Sequence, residues 1–213
     1  MGKINIGNYF IDPRDGTRYK TVKIGNQIWM AENLKYLPSV SPSSVGSVTD
    51  PLYYVYGYQG TDVLAAKATD NYKTYGVLYN WEAAKASCPK GWHLPSDTEY
   101  KTLEMYLGMT QAQANATSWR GTDEGGKLKE AGTTHWISPN TGATNSSGFT
   151  ALPAGSRITD GSFLTIGSHT YFWSSSASSS SLAWLRYLNT SYSTVYRGDI
   201  GKAYGFSVRC LRD

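Results

Sequence analysis

Long apolar runs are missing from this chain. No apolar stretch reaches about 18 residues, so no segment is expected to cross a membrane as a helix. The start, Met1-Gly2-Lys3, is not followed by a leader-like apolar stretch, which leaves the compartment open. Histidine is scarce, and His93, His135 and His169 have neither a second His nor a Cys at ligand spacing. There is no G-x-S-x-G elbow, and no glycine-rich stretch leads into Lys-Ser or Lys-Thr, so neither a serine hydrolase nor a phosphate loop is supported. Charge is thin, at 17% of residues. The acidic pair Asp123-Glu124 does not make the oxygen-rich cage that calcium needs, and it reads as a helix-start pair. Basic residues are scattered, and a net charge of +4 without a basic run argues for ordinary solubility rather than nucleic-acid binding. No cofactor, no metal and no enzymatic activity are expected. Two cysteines remain, Cys88 and Cys210, which form either one long-range disulfide or two buried thiols.

What the chain does have is rings: 17 Tyr and 7 Trp among 213 residues. Disordered chains do not carry so many. A chain of this length can bury a core without metal staples, and it reads as one domain, residues 1–213. Asp15-Gly16 and Gly25-Asn26 are turn signals, and the alternation through residues 19–24 and 27–30 predicts a β-hairpin. Residues 38–74 are rich in Pro, Ser, Gly and Tyr without a period, and read as an irregular loop with one short strand at most. Trp81, Ala84 and Lys85 share helical spacing within residues 78–87. Ser96 with Glu99 forms a capping box that starts a second helix, with Tyr100, Leu103 and Leu107 on its apolar face. Short helices are predicted over 111–116 and 125–131. Strands are predicted over 149–152, 162–166, 169–173, 183–189, 193–197 and 204–212. The order is hairpin, helices, then strands, which is an α+β domain with mainly antiparallel pairing.

Residues 174–181 are serine apart from Ala177. Such a tract reads as a flexible linker unless its ends are tethered. Here Phe172-Trp173 precede it and Trp184 follows it, so a folded surface is the stronger reading. Splitting the next strand by parity puts Trp184, Arg186 and Leu188 on one face and Leu185, Tyr187 and Asn189 on the other. Val195 and Arg197 join the first set as scaffold. Tyr196 joins the second, whose Tyr, Ser, Gly and Asn composition resembles that of an antibody paratope.

Five phrases carry a resemblance. DGTRYKTVKIGNQIWMAENL, YGVLYNWEAAKASCPKGWHLPSDTEY, SGFTALPAGSR, FWSSS and GFSVRCLRD occur in this order. Together they resemble the Fibrobacter succinogenes major paralogous domain family over roughly residues 10–213. That family is similar to the C-type lectin fold, in the branch with formylglycine-generating-enzyme-like domains. The resemblance implies two main helices, a twisted, mostly antiparallel sheet, long loops and neighbouring termini. It also implies a Cys88–Cys210 disulfide in an oxidising compartment. The oxidases of that branch need a pair of active-site cysteines, whereas the two here fall at structural positions. Calcium-dependent lectins carry an EPN- or QPD-like loop and a WND-like strand. Ser138-Pro139-Asn140 lacks the carboxylate, and no WND occurs.

The C-terminal third also resembles the variable region of C-type lectin-fold proteins diversified by retroelements, which ends near an FSVRC-like strand. The resemblance implies a ligand-binding region over about 174–204. Its varied positions would be Ser178, Ser180, Ser181, Leu182, Leu185, Tyr187, Ser191, Tyr192, Tyr196, Gly198, Asp199, Ile200, Gly201, Ala203 and Tyr204. Trp173, Trp184, Val195, Phe206, Val208 and Arg209 would be fixed scaffold. The implied ligand is a protein or glycan on another cell, met from a bacterial surface, a lipoprotein or a phage particle. Binding is expected to concentrate in Tyr187, Tyr192, Tyr196 and Tyr204. An invariant adhesion domain of the same family is the alternative.

Overall fold

A computed structural model describes residues 9–213. The chain opens with β1 (Tyr9–Ile11), β2 (Arg18–Ile24) and β3 (Gln27–Met30), an antiparallel meander. Gly25 makes the tight turn between β2 and β3 at a φ of +61°, and the Tyr106 ring lies so close that a Cβ there would meet it at 2.9 Å. β4 (Tyr53–Tyr54) follows a long loop. Two helices then appear where the sequence predicts irregular loop: α1 (Val63–Ala68) and α2 (Asp70–Tyr75). Each is under two turns and buries a single side chain, Ala66 or Tyr72, so neither leaves an apolar period to read. Their caps make them, with the Asp62 and Thr69 side chains accepting from the first free amides.

β5 (Leu78–Tyr79) occupies the start of the stretch expected to be helical. The helix waits for Asn80, whose side chain accepts from Ala83 N–H, and α3 runs over Trp81–Ser87. β6 (Trp92–His93) leads to α4 (Asp97–Leu107), where the Ser96–Glu99 capping box is present in full. α5 (Gln111–Asn115), β7 (Ser118–Arg120) and α6 (Glu124–Leu128) complete the middle of the chain. Of the expected strand over 149–152, Ala151 alone bridges, to Lys129.

The last third is β8 (Ser156–Arg157), β9 (Phe163–Leu164), β10 (His169–Ala177), β11 (Leu182–Asn189), β12 (Val195–Gly201) and β13 (Leu211–Arg212). The serine tract is therefore folded for half its length. Ser174 O accepts from Trp81 Nε1, Ser175 N–H donates to Pro95 O, and Ser176 Oγ accepts from Asp97 N–H. Residues 178–181 alone make the turn into β11, with Lys202 Nζ donating to Ser179 O and Ser180 O.

One sheet has the order β1-β2-β3-β13-β6 and a second β10-β11-β12-β7, with antiparallel neighbours throughout. The molecule is α+β. Residues 204–212 do not form the continuous strand predicted from their pattern. They thread between the sheets, where Phe206 bridges Tyr79 and Ser207 bridges Phe172 before β13 pairs with β3 and β6. One core cluster gathers around Trp173, Phe206 and Val208; a second fills the space between α4 and the back of β10–β12 with Tyr100, Leu103, Phe172 and Leu188. Burying a side chain such as Phe172 contributes about 1.5–3 kcal/mol. Cys88, at the end of α3, is joined by a disulfide to the buried Cys210, just before β13. Among the described residues, no helix is long and apolar enough to cross a membrane.

Candidate functional site

Registration across the second sheet decides which side chains meet. Residues directly opposed in neighbouring strands share a face. Tyr171 pairs with Tyr187, Tyr187 with Tyr196, and Tyr196 with Trp119, so one row of rings crosses all four strands. Tyr171 and Tyr187 stack at 4.6 Å and 9°, and His169 stacks on Tyr187 at 5.3 Å and 6°. Trp119 meets Tyr187 at 4.9 Å, Tyr196 at 5.4 Å and Tyr192, from the turn after β11, at 4.5 Å. At the other end Phe206 stacks on Tyr171 at 4.8 Å, and Tyr204 meets Phe206 at 5.8 Å. Most of these rings are half-buried; Tyr192 is 48% exposed and Phe206 is fully buried. Such packing fixes rings whose torsions would otherwise have to be frozen by a ligand.

The ring face carries no charge. Burial lowers the His169 pKa, which favours the neutral imidazole. Burial pushes the Tyr171 hydroxyl up to about 12, with Tyr187 adding to it, and burial likewise raises Tyr187. Asn189 Nδ2 donates to the Tyr187 hydroxyl at 3.1 Å.

Opposite parity puts charge behind the sheet. Arg186 pairs across β12 with Arg197, and Val195 with Arg120 of β7. All three arginines are buried, and α4 supplies their partners. Arg186 donates to Glu104 at 2.6 Å and to Asp97 at 2.8 Å, Arg197 donates to both Asp97 oxygens at 2.8–2.9 Å, and Arg120 donates to Glu104 at 2.6 Å. Burial alone would raise the Asp97 pKa, but Arg197 and Arg186 hold it far below the usual carboxylate range. The same carboxylates keep Arg186 charged against the opposing effect of burial. The network is rigid backing to the ring face.

Most of the sequence-predicted positions fall into two groups at opposite ends of this sheet. Tyr187, Ser191, Tyr192 and Tyr196 gather at the Trp119 end. Ser178, Ser180, Ser181, Leu182, Asp199, Ile200, Gly201 and Ala203 gather at the β10–β11 hairpin tip, where Leu182 pairs with Gly201. Tyr204 lies between, over Gly201. Leu185 and Gly198 are corrected. Leu185 is buried in the core with Trp173 and Phe206, because the core continues under this end of the sheet. Gly198 is buried opposite Leu185, and a Cβ there would meet the Tyr196 ring at 2.6 Å. Trp119, Tyr171 and His169 were not among the predicted positions. The alternation in residues 169–173 holds the signal for Tyr171 and His169. Trp119 has none, since its partner strand lies far along the chain.

No group of three or more His, Cys, Asp or Glu that could hold a metal ion occurs among the described residues. His93 is a bridge, with Nδ1 2.6 Å from Asp213 and Nε2 2.9 Å from Glu99. Compared with known proteins, residues 22–212 match the family model of the Fibrobacter succinogenes major domain. No curated protein and no solved structure matches the chain.

Proposed function

The chain belongs to the Fibrobacter succinogenes major domain family, and on that footing we propose that it is a non-enzymatic binding protein whose ligand surface is the ring face of the second sheet. The observation that carries this reading is the uncharged row Tyr171–Tyr187–Tyr196–Trp119, extended by the exposed Tyr192 and braced from behind by buried ion pairs. Tyr and Trp give large contact area and polar edges with few torsions to freeze, and such rings dominate binding energy at interfaces. The ligand is a protein or glycan on another cell surface. Catalysis finds little support in the arrangement: the one hydroxyl beside a ring-face base among the described residues, Ser168 Oγ at 2.6 Å from His169 Nδ1, also lies 3.1 Å from Thr165 O, no carboxylate among them orients that imidazole, and the back-face carboxylates are committed to arginines.

The finer reading is a C-type lectin-like scaffold with diversified positions. It is supported by the exposure of Ser178, Ser180, Ser181, Ser191 and Tyr192, residue types that adapt readily to different partners; Asp199 is exposed too, but pairs with Trp184 on the arginine side of the sheet.

Retention on glycan arrays and on bacterial surface-protein fractions tests the binding surface. The protein should be retained, and the triple variant Tyr187→Ala/Tyr192→Ala/Tyr196→Ala should not. Equal retention of both would sink the assignment of the face. Codons for residues 174–206 test the diversification: differences from a nearby repeat confined to template adenines support it, and no such repeat leaves an invariant adhesion domain.

A further inference from the structure

Lys129 is buried and has no carboxylate partner. The neighbouring charges are spoken for, Lys127 with Asp123 and Glu130 with His135. Instead its Nζ donates to three backbone carbonyls that converge from two segments: Thr141 O at 3.0 Å, and Asn189 O and Tyr192 O at 2.9 Å each. Trp136 lies beside it, 5.4 Å from ammonium to ring centroid. Burial lowers its pKa to about 8, so the ammonium is charged at neutral pH. Three carbonyl oxygens take the three N–H donors of the ammonium, so the buried cation is fully satisfied without an anion.

Two of those oxygens bracket the turn that carries Tyr192. Its other polar groups are held from within, since the N–H groups of Ser191 and Tyr192 both donate to Asn189 Oδ1. Thr190 is tied to the Thr141 segment, with Thr141 N–H donating to its carbonyl and Asn140 N–H to its hydroxyl. Both backbone polar groups of Tyr192 are thus engaged. That matters because its ring is exposed and would otherwise swing with the turn, yet it lies 4.5 Å from Trp119.

We propose that Lys129 is the positioning residue of the ring face: its ammonium serves as an internal cation, coordinated by the Thr141, Asn189 and Tyr192 carbonyls, that fixes the Tyr192 turn without a bound metal ion. The proposal rests on reading that face as the ligand surface, but its test needs no ligand, so the two fail separately. Removing the charge leaves carbonyls without donors and lets the turn open locally.

The experiment is amide hydrogen exchange by NMR on the wild type and on Lys129→Met, together with the ¹⁹F signal of 5-fluorotryptophan at position 119, assigned with Trp119→Phe. In Lys129→Met, exchange at Ser191 and Tyr192 should rise roughly tenfold or more while the β10 amides keep their rates, the mark of local opening. The Trp119 signal should shift with it, and neither calcium nor a chelator should move either signal in the wild type. A side-chain rescue separates charge from filling. In Lys129→Cys the new thiol is free, because Cys88 and Cys210 are bonded to each other. Alkylation with 2-bromoethylamine should restore slow exchange, and alkylation with 1-bromopropane should not. Unchanged exchange at Ser191 and Tyr192 in Lys129→Met, or equal rescue by both adducts, overturns the proposal. Should these variants not fold, the wild type decides: exchange at Ser191 and Tyr192 as fast as in the exposed 178–181 turn also overturns it.

Discussion

Arg186 and Tyr192 are close in sequence and lie on opposite sides of one sheet, and truncation should affect them in opposite ways. Arg186→Met leaves Asp97 and Glu104 buried with part of their compensation gone. Breaking such a buried network costs about 3–5 kcal/mol, because the charges left behind remain out of water. Urea unfolding should show the midpoint falling accordingly, and a loss under about 1 kcal/mol would mean that Arg197, Arg120 and Lys101 suffice. Tyr192→Ala removes a ring that is half in water and rests on Trp119. Its cost to stability should stay within about 1 kcal/mol, while retention on the ligand should fall severalfold. A large drop in the urea midpoint would make Tyr192 a core residue instead. The parity of residues 184–188 was enough to assign the arginine to the scaffold side. It was not enough to separate Tyr187 from Leu185, which have the same parity. What separates them is position along the strand, since the core ends between them, and no local pattern records where a core ends.

Helix α4 is the element on which the ring face depends, because its first turn holds Asp97 against Arg186 and Arg197. The folded protein keeps the Asp97 pKa well below its ordinary value of 3.8. A carboxylate held low in the fold stabilises fully above its unfolded value, and that stability is lost as pH falls from there through the folded value. Unfolding free energy should therefore decline as pH drops below about 3.8, and Asp97→Asn should lower stability at neutral pH while flattening that acid limb. Urea unfolding from pH 7 downward checks this; parallel curves for the two proteins would remove Asp97 as the cause. This helix was the most legible element in the sequence. Its capping box and the spacing of Tyr100, Leu103 and Leu107 are local signals. The helices α1 and α2 were not legible, since each is too short to repeat a period and is fixed by a single polar cap.

At the scale of the whole molecule, what the sequence hid was pairing over long distances. β7 joins β12, and β13 sits between β3 and β6, so both sheets close only when remote segments meet. The Trp119 row is a product of that closure, and so is the threading of Phe206 and Ser207 between sheets. The order hairpin, helices, strands was readable because each element carries its own turn and period signals; which strand lies next to which was not. The Cys88–Cys210 disulfide pins one of these long-range meetings, closing a loop with a sequence separation of 122. Chain-entropy arguments put such a cross-link at about 4–5 kcal/mol, less the effect of any order the unfolded chain already has. The variant Cys88→Ala/Cys210→Ala should therefore unfold at a clearly lower temperature. Its ring face should stay intact below that midpoint, because the bond ties α3 to the approach of β13, outside the four strands that carry the rings. Thermal unfolding followed together with the ¹⁹F signal of Trp119 distinguishes the cases. A lower midpoint with an unchanged native Trp119 signal means the disulfide acts on the unfolded chain, whereas a native signal already shifted at low temperature means the two sheets are coupled through the core around Phe206.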